Sequence, residues 1–343
     1  MTVYILVGGI QHLILRLIMQ GALAAGLPAQ TDVSVVLVPL DWFAMLRGKL
    51  IDDKGLLLGL DDELTMVDEA HVWIQEKVKA LLEPIKLTPP VKVVCEEKLV
   101  ELLLHAHDTQ TQVLEGLFQE TAKLSSELTV AVIHWAGASV YSLLLEALDQ
   151  EVTPALIRYF QRVSQHAEIV LTLRLSNSAL RLFLLNPTWL GVDQYPESGS
   201  EPTLAQLYLL ERFSHWFHSQ RQSEDTLLSY FSVANPIEPK LKNKALRQIA
   251  TETANSALAR LLEWPEEEIA VLTVTLPAKR ACSMAQVDWV RRCQATCQAS
   301  GLSAKPLLQA TGLDDQSILD AWKAVGDAVM ATSPAADSFR AND

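Results

Sequence analysis

Along most of this chain the apolar residues recur at alternating three- and four-residue steps, the spacing that lines one face of an α-helix. In residues 61–81, Leu64, Val67, His71, Ile74, Val78 and Leu81 make such a seam. Asp61, Asp62 and Glu63 suit the positive end of that helix, and Pro84 closes it. Residues 96–124 repeat the seam with Leu99, Leu103, Ala106, Gln110, Val113, Leu117 and Leu124, and Pro89-Pro90 predicts a stiff turn between the two. Long helices with matching seams and a short connection predict an antiparallel hairpin. His71 and Gln110 are polar seam positions, assigned to register or to a packing irregularity.

Residues 153–190 predict a helix pair. Leu156, Phe160, Val163, Ala167 and Val170 share one face, Leu175-Ser176 restarts the chain, and Leu180, Leu184 and Leu185 form the second apolar face before Asn186-Pro187 stops it. Similar restarts occur at Gly137-Ala138-Ser139, ahead of Leu143, Leu144 and Leu148, and at Gln222-Ser223, ahead of Leu227, Leu228 and Phe231. Between them Leu204, Leu207, Leu210, Phe213 and Phe217 line a further helix, with Trp216 beside them. Ile249, Ala257, Leu258 and Leu261 lead to Trp264-Pro265, and Ile318, Trp322, Val325 and Val329 mark the last helix. Four joints share one form: Leu175-Ser176 with Leu180, Trp264-Pro265 with Ile269, Leu302-Ser303 with Leu307, and Leu313-Asp314 with Ile318. An apolar residue precedes the cap or first-turn residue and another follows it four later, the hydrophobic-staple arrangement that fixes how a helix enters the structure. Their intervals are uneven, so no strict solenoid period is present.

Two runs look strand-like. Residues 31–40 are open between strand and helix, with helix favoured because nothing nearby offers strands to pair with. Residues 269–276 are read as helix because Pro265 and Glu266, Glu267 and Glu268 form a good first turn. The expected fold is all-α, an irregular array of helix pairs with a long antiparallel hairpin near its N-terminal third. The expected segments are an N-terminal helical stretch (1–60), the hairpin and first array (61–190), a polar linker (191–202), a second array (203–332) and a disordered tail (333–343).

Composition adds a reason to expect partners. Apolar residues make up 49% of the 343, mean hydropathy is +0.16 and aromatics are only 6%, so Leu, Ala and Val dominate and some apolar faces are expected to be covered by further chain or other subunits. A formal charge of -13 argues against nucleic acid, and the basic cluster Lys240, Lys242, Lys244 and Arg247 reads as a solvated helix start. Cys95, Cys282, Cys293 and Cys297 do not make a disulfide framework; Cys293 and Cys297 lie four apart but lack further ligands nearby, so free thiols in a reducing cytoplasm are expected. Gln11, His12, Arg16 and Gln20 interrupt the apolar start, which lacks the basic residues of a signal peptide, and no membrane span is expected.

Candidate chemistry is sparse. His105 and His107, two apart on a helix, diverge. His215 and His218, three apart, share a face and read as a helix-end or interface pair, and as candidates for a pH response because histidine ordinarily titrates near about 6.5. Glu266, Glu267 and Glu268 diverge as consecutive helical residues. There is no GxSxG, P-loop, GxGxxG or metal-ligand spacing and no carboxylate pair brought together by helical spacing. No catalytic, cofactor-binding or metal residue is therefore expected, and no enzyme; the residues alone leave room for a helical adaptor that binds protein partners through the hairpin.

Several stretches resemble a known family. The GLSAKPLL joint, LLEWPEEEI, AQVDWVRRCQATCQASGLSAKPLL, LRLSNSALRLFLLNPTWLG and TLAQLYLLERFSHWFHSQRQSEDTLLSYF are similar to the helical region of the A component of insecticidal toxin complexes, the Tc toxins or virulence-plasmid A protein group. The similarity is clearest over residues 128–331. It implies a non-enzymatic part of a large pentamer, whose helical shell surrounds a channel that delivers a toxic enzyme carried by partner B and C components, with opening linked to pH. By the same resemblance the partners are A-type copies and B and C components, and the chain is made in a bacterial cytoplasm and exported without a classical signal peptide. It is far shorter than a complete A component and shows no recognisable channel or receptor-binding portion, so it reads as a fragment, a split subunit or a degenerate reading frame.

Overall fold

The computed structural model describes residues 45–58, 70–85, 87–148, 153–192, 201–237, 243–314 and 316–332. Outside them lie the start of the first seam with Leu64 and Val67, the ambiguous run 31–40, most of the expected linker, Lys240 and Lys242, and the tail 333–343. Among the described residues the structure is all-α, with thirteen α-helices, a 3-10 turn at Pro187–Trp189 and two isolated β-bridges near residue 51. The chain divides into two units, Met1–Arg181 with Pro196–Glu201, and Leu182–Tyr195 with Pro202–Asp343.

The first unit holds α1 (Ala70–Leu82), α2 (Pro89–Ala122), α3 (Ser126–Trp135), α4 (Val140–Ala147), α5 (Pro154–Leu173) and the start of α6 (Asn177–Leu185). The hairpin is α1 on α2, and α2 also supports α3, α4 and α5. Its turn is tighter than the prolines suggest. Pro89 and Pro90 occupy the first two positions of α2 itself, where no amide is needed for an intrahelical bond, so the helix reaches 34 residues, about 50 Å at 1.5 Å per residue. The seams shift by a residue in places: α1 buries Ala70, Ile74, Val78, Leu81 and Leu82 while His71 is exposed, and α2 buries Leu114 in place of Val113.

Gln110 is buried for a definite purpose. Its Nε2 donates to the Gly55 carbonyl and its Oε1 accepts from the Leu57 amide, both at 3.3 Å. Asp52 Oδ1 accepts from the amides of Lys54 and Leu56, both at 2.8 Å, and Leu46, Leu50, Ile51, Leu56 and Leu57 are buried. In place of the helix expected for this end of residues 1–60, residues 47–58 form a turn whose backbone is held by one aspartate from within and one glutamine from α2.

The second unit holds the end of α6, α7 (Leu204–Ser219), α8 (Glu224–Ala234), α9 (Lys244–Leu262), α10 (Glu266–Thr273), α11 (Met284–Ser300), α12 (Ala304–Thr311) and α13 (Leu319–Thr332). Successive helices pack as α8 on α9, α9 on α10, α10 on α11 and α12, and α12 on α13, with α7 lying on α11. Residues 266–273 are helical, as the Pro-Glu-Glu-Glu start predicts, and Ile269 and Leu272 are fully buried. Phe183, Phe213, Trp216, Tyr230 and Phe231 form an aromatic core. Leu210 and Phe213 of the expected α7 face are buried, Leu204 at its start is 83% exposed, and Trp216, read as lying beside that face, is completely buried. On α13 only Val325 of the predicted seam is buried, and Ile318, Trp322 and Val329 face solvent with Leu319 and Met330.

Candidate functional site

The sequence singles out helix joints, and the structure places each of them. At the α5–α6 joint, Arg174 takes a left-handed conformation, Ser176 Oγ accepts from the Ala179 amide at 3.0 Å, and Leu175 and Leu180 on either side are buried. At the α9–α10 joint, Glu263 is left-handed, Pro265 precedes the helix, Ile269 is fully buried and Trp264 half-buried. The Ser303 side chain makes no cap bond. Instead Glu268 Oε2, from α10, accepts from the Ala304 amide at 2.5 Å and brings a negative charge to the start of α12, with Leu302 and Leu307 half-buried. Asp314 Oδ1 accepts from the Gln316 amide and the Ser317 hydroxyl, but Leu313 is half-buried and Ile318 is 71% exposed.

Other polar side chains, which sequence reading missed, hold the backbone between α10 and α11. Tyr230 Oη donates to the Ala281 carbonyl at 2.6 Å, Asn235 Nδ2 to the Cys282 carbonyl at 2.8 Å, and Arg280 Nε returns to the Ala234 carbonyl at 2.7 Å. Burial pushes the Tyr230 phenol far above its usual range, which keeps it a donor. Gly191 closes the approach to this loop. Its φ is +91°, and a Cβ there would meet Ser283 Oγ at 2.5 Å. No periodic signal marks these residues, because their partners lie 46 to 51 positions away.

The arrangement fastens helix ends and loop backbone to one another. All four cysteines are free, and burial pushes each thiol up, away from the nucleophilic thiolate. Glu266 accepts from Ser256 while Glu268 caps α12, so these glutamates serve different partners. Among the described residues, no group of three or more His, Cys, Asp or Glu is placed to hold a metal ion, and no single helix is long and apolar enough to cross a membrane. The apolar pair α3 and α4 would have the length together but meets at an 86° bend.

Of the two histidines marked for pH response, His215 is exposed and His218 Nδ1 donates to the Ser214 carbonyl at 2.8 Å. A third, His166, has the more consequential surroundings. It is 2% exposed on α5, its Nδ1 donates to the Arg162 carbonyl at 2.7 Å, and the Trp135 ring stands edge-on to it at 4.8 Å. Its Nε2 is buried with no hydrogen-bond partner among the described residues. Burial lowers its pKa, with the Arg162 carbonyl and Glu201 opposing more weakly. The unfolded chain therefore binds this proton before the folded one does, and stability should fall as pH drops below about 6.5, the ordinary histidine value. Urea midpoints measured from about pH 8 to about pH 5 should decline more steeply for the native chain than for His166→Phe; parallel curves would show that His166 carries none of the dependence.

Taken together, the described residues define an all-α fold in which many polar side chains hold helix ends and loop carbonyls. No protein-family model matches the chain. It is 26% identical over 304 residues to the toxin subunit YenA1 of Yersinia entomophaga, an alignment that takes in 85% of this chain and 25% of that protein. Over that span the chain is Tc toxin A-like, as its helical motifs suggest. It covers about a quarter of the length of the curated relative it matches.

Proposed function

We propose that this chain is a structural, non-enzymatic segment of the A component of an insecticidal toxin complex, contributing packed helices to the shell of a toxin-translocating assembly. The similarity to a toxin subunit across 85% of the chain is the observation that supports this reading. The uncovered apolar seam of α13 agrees with it, since Ile318, Leu319, Trp322, Val329 and Met330 present to solvent a face of the kind that assemblies cover. Its partners on this reading are further A-type chains and the B and C components.

The test is assembly. Purified alone, the chain should bind the dye ANS and self-associate by light scattering; co-expressed with B- and C-type chains and the remaining A-type sequence, it should migrate in a larger particle. A dye-silent monomer that never enters that particle would overturn the proposal. Recovery of unrelated helical proteins through the α1–α2 hairpin would favour a stand-alone adaptor instead.

A further inference from the structure

Where α7 meets α11 in the second unit, the charges and donors do not balance. Asp288 is 1% exposed and accepts from Arg212 Nε at 2.7 Å through Oδ1, and from Arg292 Nε at 3.0 Å and Tyr208 Oη at 3.4 Å through Oδ2. Both carboxylate oxygens are thus engaged. A third guanidinium, that of Arg291, lies over the Trp216 ring at 5.3 Å from its centroid. Its Nη1 is buried with no hydrogen-bond partner among the described residues, and so is Trp216 Nε1. Burial and the like charge of Arg212 both lower the Arg291 pKa, against the pull of Asp288, yet a guanidinium keeps its proton throughout the physiological range. Asp288 thus has three guanidiniums about it, two bonded to it and that of Arg291 drawn by its charge, while Glu211 acts weakly and on Arg212 alone. Every leftover group is a donor.

A bridge from Arg212 to Asp288 would suffice to fasten α7 to α11. It gives no account of a second and third arginine, one of them half-buried and short of an acceptor. Guanidinium forks match the planar carboxylate and the tetrahedral phosphate, and such charge-assisted bonds are the strong ones. The seam is open to solvent at Tyr208, 47% exposed, and at the Arg292 side chain, 59% exposed, while Arg291 Nη1 is itself buried. We propose that Arg212, Arg291 and Arg292 form an oxyanion-binding site at the α7–α11 seam, whose ligand is a carboxylate or a phosphate group. The site does not depend on the toxin-complex reading.

Calorimetric titration of the full chain with inorganic phosphate, and separately with succinate, at an ionic strength held constant with chloride, tests it. Saturable binding of at least one anion is expected, about tenfold weaker in both Arg291→Met and Arg292→Gln, the loss expected for one charge-assisted hydrogen bond. Arg292 is largely exposed, so Arg292→Gln should keep the fold, as far-UV circular dichroism will show, even if Arg291→Met does not. Preference for phosphate would identify a free or esterified phosphate as the ligand, and preference for succinate a carboxylate such as an acidic side chain. Binding of neither anion beyond chloride, or equal binding by the native chain and Arg292→Gln, would overturn the site.

Discussion

Leu180→Ala should destabilise the fold around the α5–α6 joint by about 2–5 kcal/mol, the range for removing a buried leucine and leaving a cavity. Leu180 is 1% exposed and sits four residues after Ser176, with buried Leu175 on the other side of the cap. The two leucines hold the entry of α6 in place, and the serine satisfies one of the free amides of its first turn. Ser176→Ala should therefore cost less, about 1 kcal/mol. Because both changes act on one joint, their effects should not add, and the double variant should fall short of the sum. Urea unfolding of the native chain, both single variants and the double variant measures this. A Leu180→Ala loss no larger than that of Ser176→Ala would mean that the joint is held by its hydrogen bonds and that the staple contributes little.

What could be read in the chain, and what could not, follows from how local each signal is. The face of α5 was legible because 20 residues hold several turns, and Leu156, Val163, Ala167 and Val170 are all buried at the expected spacing. Cap residues such as Ser176 were legible because a cap acts within three residues of itself. The nine-residue α6 was not. Leu180, Leu182, Phe183, Leu184 and Leu185 supply apolar groups on every side, so neighbouring helices decide which are buried, and they chose Phe183 and not Leu185. On α7 the same choice placed Trp216 inside and Leu204 outside. Residues 47–58 carry no period at all, since they fold as a turn held by their own backbone bonds and Asp52 and by Gln110, 53 positions downstream of Leu57. For α13 the pattern correctly names residues that share a face, but periodicity cannot say whether anything covers that face, and here most of it is open. The arginines around Asp288 escaped notice for a related reason: Arg291 and Arg292 are adjacent in sequence, while Arg212 joins them from 76 residues before Asp288.

Phe183→Ala should cost about 3–5 kcal/mol in the second unit, and Leu185→Ala, only two residues away, no more than about 0.5. Phe183 is 4% exposed, and its ring stands edge-on to Phe213 at 5.3 Å and to Phe231 at 5.5 Å. It thus ties α6 to both α7 and α8. Loss of the ring removes buried area and two aromatic pairs, each worth about 0.5–1.5 kcal/mol beyond that area. Leu185 is 42% exposed and has far less to lose. Phe183→Leu, which keeps much of the volume but neither aromatic contact, should fall between the two. Chemical denaturation supplies the energies, and near-ultraviolet circular dichroism reports the aromatic packing, which Phe183→Ala should weaken and Leu185→Ala should leave intact. Equal losses from Phe183→Ala and Leu185→Ala would place the core on the face that simple spacing suggests. The contrast also bears on assembly. A variant that loosens this cluster exposes apolar surface for a reason unrelated to partners, so the particle measurement should use Trp322→Glu on the open face of α13, which removes a candidate contact while leaving the buried aromatic cluster untouched.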